Sequence, residues 1–292
     1  MQDKMIYRAN ELLSNGSVEY VLGWKKGDFP CNPEPAFFRS ESELNDFVYN
    51  RFCSANLSKY MIKASNEDGK TLVFLKPCDT YSFNQLLKEH RVDREKAYII
   101  GISCEGNYKV EEMLEKELLE RCRSCKGKEH KIYDELMEDE NAEKLETVDR
   151  FKCVEDVEKL SPTERFEFWR EELSKCIRCN ACRNTCPACS CNKCVFDSNK
   201  FDTAQKVNVT AFDEQMFHIV RAYHVAGRCS DCGECTRVCP QGIKLHILNR
   251  KFIKDTNEFY GEFQAGAESD GSTPLTSFTY DDVEPSIINE RG

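Results

Sequence analysis

The chain has 292 residues, of which 40% are hydrophobic and 32% are charged, a composition typical of a folded protein of about two domains. Its formal net charge of −10 argues against nucleic acid as a partner. No apolar run reaches the ~18 residues that a membrane span requires, and the first residues lack the pattern of a signal peptide, so we expect a cytoplasmic location.

Residues 1–130 have the pattern of a small α/β domain. Three short β-rich runs predict strands at residues 18–23, 71–75 and 97–102. Helical spacing at 81–90, between the second and third runs, predicts a parallel βαβ unit. Another helix is expected over residues 45–60, on one face of the sheet.

The remainder of the chain has helical patterns. Residues 131–160 are rich in Glu, Lys, Leu and Asp and predict a charged helical linker. A capping box at Ser161-Pro-Thr-Glu164 predicts the start of a helix and of a second domain. Further helices are expected at 213–226 and 244–256. The apolar face of the first of these consists of Met216, Ile219, Val220 and Tyr223.

The predicted fold class is therefore α+β, with the α/β domain followed by an all-helical domain. No strand pattern occurs within residues 161–260, which form that second domain. Residues 261–292 are rich in Gly, Ser, Asp and Thr and predict an extended C-terminal tail.

The 18 cysteines are the most informative feature of the composition. A disulfide-rich scaffold is usually small and secreted, and nothing above predicts such a protein. Zinc sites often include histidine, but the five histidines have no zinc-finger spacing. Iron–sulfur clusters take four thiolates each and suit a reducing compartment. The spacing of the cysteines decides among these three explanations.

Two copies of the motif C-x2-C-x2-C-x3-C-P occur, at residues 176–187 and 229–240. In two-cluster ferredoxins, the first three cysteines of a run hold one cluster and the fourth holds the other. The spacing predicts one 4Fe–4S cluster on Cys176, Cys179, Cys182 and Cys239. It predicts a second 4Fe–4S cluster on Cys229, Cys232, Cys235 and Cys186.

A second motif overlaps the first run. Cys182, Cys186 and Cys189 match the triplet of radical S-adenosylmethionine enzymes, but those enzymes need a barrel of βα units that residues 161–260 do not provide. Cys189, Cys191 and Cys194 form a dense patch for which three roles stay open: packing thiols, alternative ligands or part of an extra metal site. A role outside ligation is favoured.

The N-terminal half has four further cysteines that suit a third cluster. Cys78 and Cys104 each follow a predicted parallel strand, at the sheet edge where α/β proteins bind ligands. Cys122 and Cys125 form a C-x2-C pair whose basic neighbours would offset cluster charge; these are Arg121, Arg123, Lys126 and Lys128. The candidate third 4Fe–4S site is Cys78, Cys104, Cys122 and Cys125. A helix over 110–120 would carry Cys122 away from that edge unless the chain crosses the edge or turns back.

The C-terminal half resembles a known module. The long segment between Cys186 and Cys229, with its predicted helix, and the sequence 221–229 are similar to the all-helical dicluster ferredoxin modules of heterodisulfide reductases, fumarate reductases, anaerobic sulfite reductases and sulfhydrogenases. This resemblance covers residues 162–263 and implies two 4Fe–4S clusters in an electron-transfer subunit.

The N-terminal half resembles a different family. Leu57-Ser-Lys-Tyr60, Lys76-Pro-Cys-Asp79 and Ile100-Gly-Ile-Ser-Cys104, with the later C-x2-C, are similar to beta subunits of deazaflavin-reducing hydrogenases and formate dehydrogenases. The resemblance covers about residues 15–126 and implies a 4Fe–4S cluster beside a flavin. Beyond it the dicluster module stands in place of the family's remaining domain. The chain has no G-x-G-x-x-G sequence, so flavin is retained only as an alternative cofactor.

These features predict an iron–sulfur electron-transfer subunit of a multisubunit anaerobic oxidoreductase. It would relay single electrons through two to three 4Fe–4S clusters between a flavoprotein and a catalytic subunit. The resemblances imply a hydrogenase, formate dehydrogenase or heterodisulfide-reductase-like partner. The alternatives are a flavin-dependent reductase acting at the N-terminal domain and an iron–sulfur redox sensor. No catalytic residue is predicted, because the histidines are scattered and fit surface or core positions.

Overall fold

A mixed β-sheet organises the N-terminal half of the protein. The structure is a computed structural model that describes residues 1–109, 117–139, 142, 147–197, 210–268 and 270. The strands of these residues are β1 (Tyr20–Lys25), β2 (Glu34–Phe38), β3 (Thr71–Leu75), β4 (Ala97–Ile102) and β5 (Glu135–Met137). Their order is β2-β1-β3-β4-β5; β2 is antiparallel to β1, and the other pairs are parallel.

Helices cover the sheet and form the C-terminal half. In chain order they are α1 (Gln2–Ser14), α2 (Met61–Ala64), α3 (Pro77–Lys88), α4 (Glu120–Arg123), α5 (Lys152–Glu158), α6 (Pro162–Ser174), α7 (Ala181–Thr185), α8 (Ala211–Val225), α9 (Glu234–Arg237) and α10 (Leu245–Tyr260). With the five-stranded sheet they confirm the α+β class. Within the described ranges, no helix is long and apolar enough to cross a membrane.

The predicted βαβ unit is confirmed. Thr71 pairs with Ala97 in parallel register, and α3 connects the two strands. Every residue of β3 is buried, as expected of a continuous apolar strand covered on both faces. The α/β core therefore lies around β3 and β4; Cys78 lies in the helix that begins just after β3, and Cys104 lies in the loop after β4.

The helix predicted over residues 45–60 is wrong. Residues Glu43–Asp46 and Leu57–Tyr60 form 3₁₀ turns, and the segment between them is not helical. The Val48 N–H donates to the Trp24 carbonyl at 2.8 Å, so this segment pairs with the end of β1. Phe47 is thereby buried against Phe74, so sheet pairing and ring packing prevail over helical composition.

The predicted helical linker over 131–160 also differs from the structure, because it contains β5. The Asp134 side chain accepts the Ile99 N–H at 2.7 Å, and Glu135 accepts a hydrogen bond from Arg8 of α1 at 2.9 Å. An edge strand of only three residues is too short to show a strand pattern in the sequence, so its pairing depends on partners distant in sequence. α5 supplies the helical part of the segment.

The capping box at the start of the second domain is confirmed. The Ser161 N–H donates to Glu164 Oε2 at 2.9 Å, and the Glu164 N–H donates to Ser161 Oγ at 3.3 Å. After Met137, the part of the chain that the structure describes is helical and contains no strand. The two halves are in direct contact, since the hydroxyls of Ser82 and Ser230 lie 2.7 Å apart.

Part of the predicted tail packs on α3. Ala265 is buried, and the Asn84 side chain donates to the Gly266 carbonyl at 3.2 Å. Gly266 has a φ of +76°, and a Cβ there would lie 1.8 Å from the Tyr81 carbonyl oxygen, so only glycine fits. Residues 271–292 of the tail lie outside the described residues.

A buried ion pair fixes the start of α3. The Lys76 ammonium lies 3.0 Å from an Asp79 carboxylate oxygen, and both side chains are 0% exposed. The ammonium also donates to the carbonyls of Cys53 and Ala55, at 3.1 and 3.0 Å. It lies 4.4 Å from the centre of the Trp24 ring. The helix that begins with Pro77 and Cys78 is therefore anchored to the core.

We predict that Lys76→Met lowers the free energy of unfolding by about 3–5 kcal/mol, because it leaves the Asp79 carboxylate buried without its cation. Urea unfolding followed by circular dichroism under anaerobic conditions measures this. Lys25→Met is the matched control: its ion pair with Glu34 is exposed, so the expected loss is below ~1 kcal/mol. Equal losses in the two variants would contradict the prediction.

Candidate iron–sulfur sites

The two four-cysteine runs form loops with the same backbone conformation. In the first loop, Arg178 and Asn180 have φ angles of 55° and 60°. At the matching positions of the second loop, Asp231 and Gly233 have φ angles of 52° and 68°. Left-handed residues on both sides of the middle cysteine curl the main chain around one point. Such a loop directs its side chains and N–H groups toward a common centre.

A short helix follows each loop and separates the third cysteine from the fourth. Cys182 lies on α7 and Cys186 directly after it; Cys235 lies on α9 and Cys239 shortly after it. α7 and α9 contact each other. The fourth cysteine of each run is therefore placed beside the loop of the other run.

The structure brings together the four cysteines predicted for the first cluster. One cavity, also lined by His218, Ile243 and Leu245, contains all of the first cysteine group, which is Cys176, Cys179, Cys182 and Cys239. The Arg178 N–H donates to Cys176 Sγ at 3.3 Å. Burial raises the pKa of Cys176 to about 11, so the bare site favours the neutral thiol.

The cysteines predicted for the second cluster are also neighbours. The second cysteine group is Cys229, Cys232, Cys235 and Cys186. Cys186 packs with Cys229 in one apolar cluster. Burial and the adjacent Cys186 and Cys232 thiols together raise the pKa of Cys235 to about 12, against the opposing effect of the Arg221 cation. Metal ions bind thiolates and displace these protons, so buried thiols in fours suit iron.

The third cysteine group lies beyond the carboxyl edge of the sheet. It consists of Cys78, Cys104, Cys122 and Cys125, which line one cavity. Cys78 lies in the first turn of α3, and Cys104 follows β4, as predicted. The Gly106 N–H donates to Cys104 Sγ at 3.4 Å, and the Asn107 N–H donates to Cys122 Sγ at 3.3 Å.

The chain turns back toward the sheet edge before Cys122. Tyr108 and Leu118 pair as an antiparallel bridge, which returns the chain to where it left the sheet. Residues 110–116, most of the helix considered from the sequence, lie outside the described residues. This reversal is what places the C-x2-C pair beside Cys78 and Cys104.

The three cysteine groups form a row. Cys232 of the second group also lines the cavity of the third group. Cys182 of the first group and Cys186 of the second are separated by a single turn of α7. The second group therefore lies between the other two, and no group is isolated.

Buried ion pairs hold both ferredoxin-like loops. In the first loop, the Arg178 guanidinium binds the Glu214 carboxylate of α8 at 2.6 Å. In the second loop, the Asp231 carboxylate binds Arg250 of α10 at 2.8 Å. Arg178 and Asp231 occupy the same left-handed loop position, so the two loops use the same anchor with the charges exchanged.

Arg221 lies beside the first and second cysteine groups. Its guanidinium is buried and donates to the Cys182 carbonyl at 3.1 Å. Burial acts against its charge, but the thiols of Cys186, Cys235 and Cys182 hold the pKa of Arg221 above its usual range. A fixed positive charge at this place compensates thiolates of both groups.

The basic residues around Cys122 and Cys125 divide into two sets. Arg121, Lys126 and Lys128 line the third cavity, as the sequence predicts. Arg121 also binds Glu234 at 2.5 Å and donates to the Cys232 carbonyl at 2.8 Å, which ties the third group to the second. Arg123 instead pairs with Glu117, away from the cavity.

The predicted apolar face of α8 is not its most buried face, since Ile219 and Val220 are only half-buried. Met216 is 40% exposed and Tyr223 is 63% exposed, whereas Glu214, His218 and Arg221 are buried. Clusters of buried thiols need charged and hydrogen-bonding neighbours, so α8 turns its polar stripe inward. The spacing of these three polar residues, four and then three apart, is the sequence signal that was missed.

His218 is a buried histidine in the first cysteine cavity. Burial lowers its pKa to about 3, and the cations of Arg221 and Arg178 add to the effect. Among the described residues, neither of its ring nitrogens has a hydrogen-bond partner. The expectation of a surface or core position is met, but the sequence did not place it beside Cys176.

The three cysteines that follow the first run, Cys189, Cys191 and Cys194, do not all have the same neighbours. Cys189 packs beside Cys186 and Cys229. Cys191 and Cys194 line, with Cys189, a separate cavity that also includes Lys59. All 18 cysteines of the chain lie in described residues and are free thiols.

Known proteins resemble both halves. Residues 172–243 match the family model of the 4Fe-4S dicluster domain. Subunit beta of the F420-dependent formate dehydrogenase of Methanocaldococcus jannaschii is 23% identical, over 83% of this chain and 86% of its own. Subunit beta of F420-dependent formate dehydrogenase 1 from Methanococcus maripaludis is 22% identical, over 74% of this chain and 78% of its own.

A solved structure, the F420-reducing NiFe hydrogenase complex of Methanosarcina barkeri, matches with 15% identity and a TM-score of 0.30, over 36% of this chain and 38% of that chain. The two resemblances and the expectation of 4Fe–4S clusters are confirmed: residues 172–243 match the 4Fe-4S dicluster domain, in a chain that is similar to beta subunits of F420-dependent formate dehydrogenases.

Proposed function

We propose that this chain is an iron–sulfur electron-transfer subunit of a multisubunit oxidoreductase and carries single electrons along three 4Fe–4S clusters. The observation that carries the proposal is the row of cysteine groups, in which Cys232 of the second group lines the cavity of the third. A protein that used clusters only to brace its fold would not need them side by side. The order runs from the carboxyl edge of the sheet to the first group.

The three cysteine groups are the proposed ligands. The crossed assignment gives the first cluster Cys176, Cys179, Cys182 and Cys239, the second Cys229, Cys232, Cys235 and Cys186, and the third Cys78, Cys104, Cys122 and Cys125. A bound 4Fe–4S cluster supplies one-electron chemistry. The chain supplies main-chain N–H donors such as that of Arg178 and fixed cations such as Arg221, which favour the reduced form. It also supplies burial, which acts in the opposite direction because reduction adds negative charge.

Cys179 is the proposed point of contact with a partner subunit. It is exposed, unlike the other three cysteines of its group, and the adjacent Ile177 is half exposed. An electron on the first cluster would therefore leave or enter at this surface. The relatives are formate dehydrogenase beta subunits, so we infer a formate-dehydrogenase-type catalytic subunit and a flavoprotein as partners in a cytoplasmic complex.

We propose two domains that share one electron path. The α/β domain, predicted over 1–130, is extended by β5 to about residue 139. The helical domain at 161–260 contains the dicluster match and is proposed to be an all-helical ferredoxin module. The segment between them connects the two, and the tail from 261 begins by packing on α3.

We expect the native complex, purified anaerobically through this chain, to contain about twelve irons per copy of it. Formate is the probe: it should reduce the clusters in the complex and leave those of the isolated chain oxidised, whereas dithionite should reduce both. Paramagnetic resonance measures the reduction. Cys104→Ser should remove about four irons, while Cys31→Ser, a buried thiol outside the three groups, should remove none.

Zinc in place of iron, or clusters that dithionite does not reduce, would overturn the electron-transfer role. Oxidation of formate by the isolated chain would instead identify it as the catalyst.

Pairs of substitutions test the crossed ligation. Cys176→Ser with Cys239→Ser should damage one cluster and cost about four irons, because both cysteines belong to the first group. Cys176→Ser with Cys186→Ser should damage two clusters and cost about eight. Iron and acid-labile sulfide analysis measures both. If each run instead held its own cluster, the first pair of substitutions would cost about eight irons and the second pair about four. That result would contradict the crossed assignment.

Gly233→Ala tests the packing between the second and third groups. Gly233 has a φ of +68°, and a Cβ there would lie 2.8 Å from the Cβ of Arg121. We expect loss of about four irons, those of the second cluster. Gly242→Ala is the control, since its φ of +62° gives the same backbone cost of about 1–2 kcal/mol but nothing lies within 4 Å. Equal iron contents in the two variants would contradict this role of Gly233.

A further inference from the structure

His218 projects from α8 into the cavity of the first cysteine group. Its side chain is 1% exposed and lines that cavity together with the four cysteines. A ring nitrogen, the Cys176 Sγ and a Glu214 carboxylate oxygen all lie within 4.8 Å of one another. His218 is therefore as close to this cavity as the cysteines that line it.

The imidazole lacks the hydrogen bonds that a buried imidazole needs. In either neutral tautomer it has one N–H donor and one acceptor nitrogen. Within the described ranges, neither nitrogen has a partner. An unsatisfied buried polar group destabilises the fold, and native proteins satisfy nearly all such groups. The ring therefore requires a partner that the described part of the chain does not provide.

The surroundings of His218 leave the cavity as the place for that partner. The Glu214 carboxylate is engaged by the Arg178 guanidinium at 2.6 Å. The Phe217 ring packs edge-on against the imidazole, with ring centres 5.1 Å apart. Among the residues that the structure describes, the remaining neighbour is the sulfur-lined space around Cys176.

We propose that the His218 N–H donates a hydrogen bond to a sulfur of the 4Fe–4S cluster held by the first cysteine group, and so raises the reduction potential of that cluster. The inference rests on the cluster assignment proposed above. Reduction adds negative charge to the cluster, and a donor to its sulfurs stabilises the reduced form. His218 is then a positioning and tuning residue, and the four cysteines remain the ligands.

The effect is confined to one of the two dicluster sites. The second cysteine group receives its side-chain donor from Asn249, whose Nδ2 lies 3.5 Å from Cys235 Sγ. The buried histidine of α10, His246, has its Nδ1 3.0 Å from the Thr236 hydroxyl instead. The two clusters therefore differ in their donors, and removal of His218 changes only the first.

Two substitutions of His218 distinguish the loss of a hydrogen-bond donor from damage to the fold: His218→Leu removes the N–H donor, and His218→Gln keeps one. We expect the first cluster of the leucine variant to bind an electron about tenfold more weakly. Its reduction potential should therefore be lower by about 59 mV, the value for one electron. The glutamine variant keeps an N–H donor and should recover at least half of the shift. Redox titration followed by paramagnetic resonance measures both potentials in the full-length chain, and the signal lost in Cys176→Ser with Cys239→Ser identifies the first cluster.

His224→Leu is the matched control, because His224 is exposed on the same helix and should shift neither potential. An unchanged first-cluster potential in His218→Leu, with normal iron content and dithionite reduction, would overturn this inference and leave the proposed function standing. Absence of reducible clusters would instead overturn the proposed function.

Wild-type protein containing ¹⁵N-histidine provides a readout that does not depend on a variant. A weak nitrogen coupling to the reduced first cluster supports a hydrogen bond. No coupling would overturn the inference, and so would a strong coupling, which would make His218 a ligand.

Discussion

The burial of thiols beside fixed positive charge is the constraint on which this structure depends. Burial raises the pKa of thiols in all three cysteine groups, as at Cys78, Cys176 and Cys235, so the chain alone resists forming thiolates there. Iron bound at the proposed sites would displace the protons, and the resulting thiolates would leave buried negative charge. Buried guanidinium groups, such as that of Arg221 beside the first and second groups, compensate this charge in a protein that is acidic as a whole.

Each of the two ferredoxin-like loops is held by a buried ion pair, and the charges of the loop residue are opposite in the two loops. Each has a left-handed residue before its middle cysteine, and each such residue is held by an ion pair to the following long helix. Arg178 is the cation in the first loop and binds Glu214, whereas Asp231 is the anion in the second loop and binds Arg250. Equivalent backbones with exchanged charges give the two sites different electrostatic surroundings, which is a means of giving similar clusters different potentials.

Arg121 joins the α/β half to the helical half at the point where an electron would cross. It lines the third cavity, donates to the Cys232 carbonyl and pairs with the buried Glu234. Arg237 and Arg121 hold the pKa of Glu234 at about 2 against its burial. Since the Arg121 guanidinium contacts both halves, its positive charge acts on the third cysteine group and on the second cysteine group together.

Sequence spacing alone predicted the two cysteine groups of the C-terminal half, the capping box at Ser161 and the βαβ unit, because these depend on residues close in the chain or on ligand rules that spacing expresses. The third cysteine group was predicted from the carboxyl ends of two strands and not from spacing. Tertiary structure alone decided what surrounds the cysteines. The inward polar stripe of α8, with His218 and Arg221, reversed the face that its apolar residues predict. Likewise β5 exists only through its pairing with the distant β4, and the bridge between Tyr108 and Leu118 reverses the chain where the sequence suggested a helix. Periodicity predicts which face of a helix is apolar. The electrostatic interactions that place polar residues beside the buried cysteines form only in the folded chain, so periodicity does not reveal them.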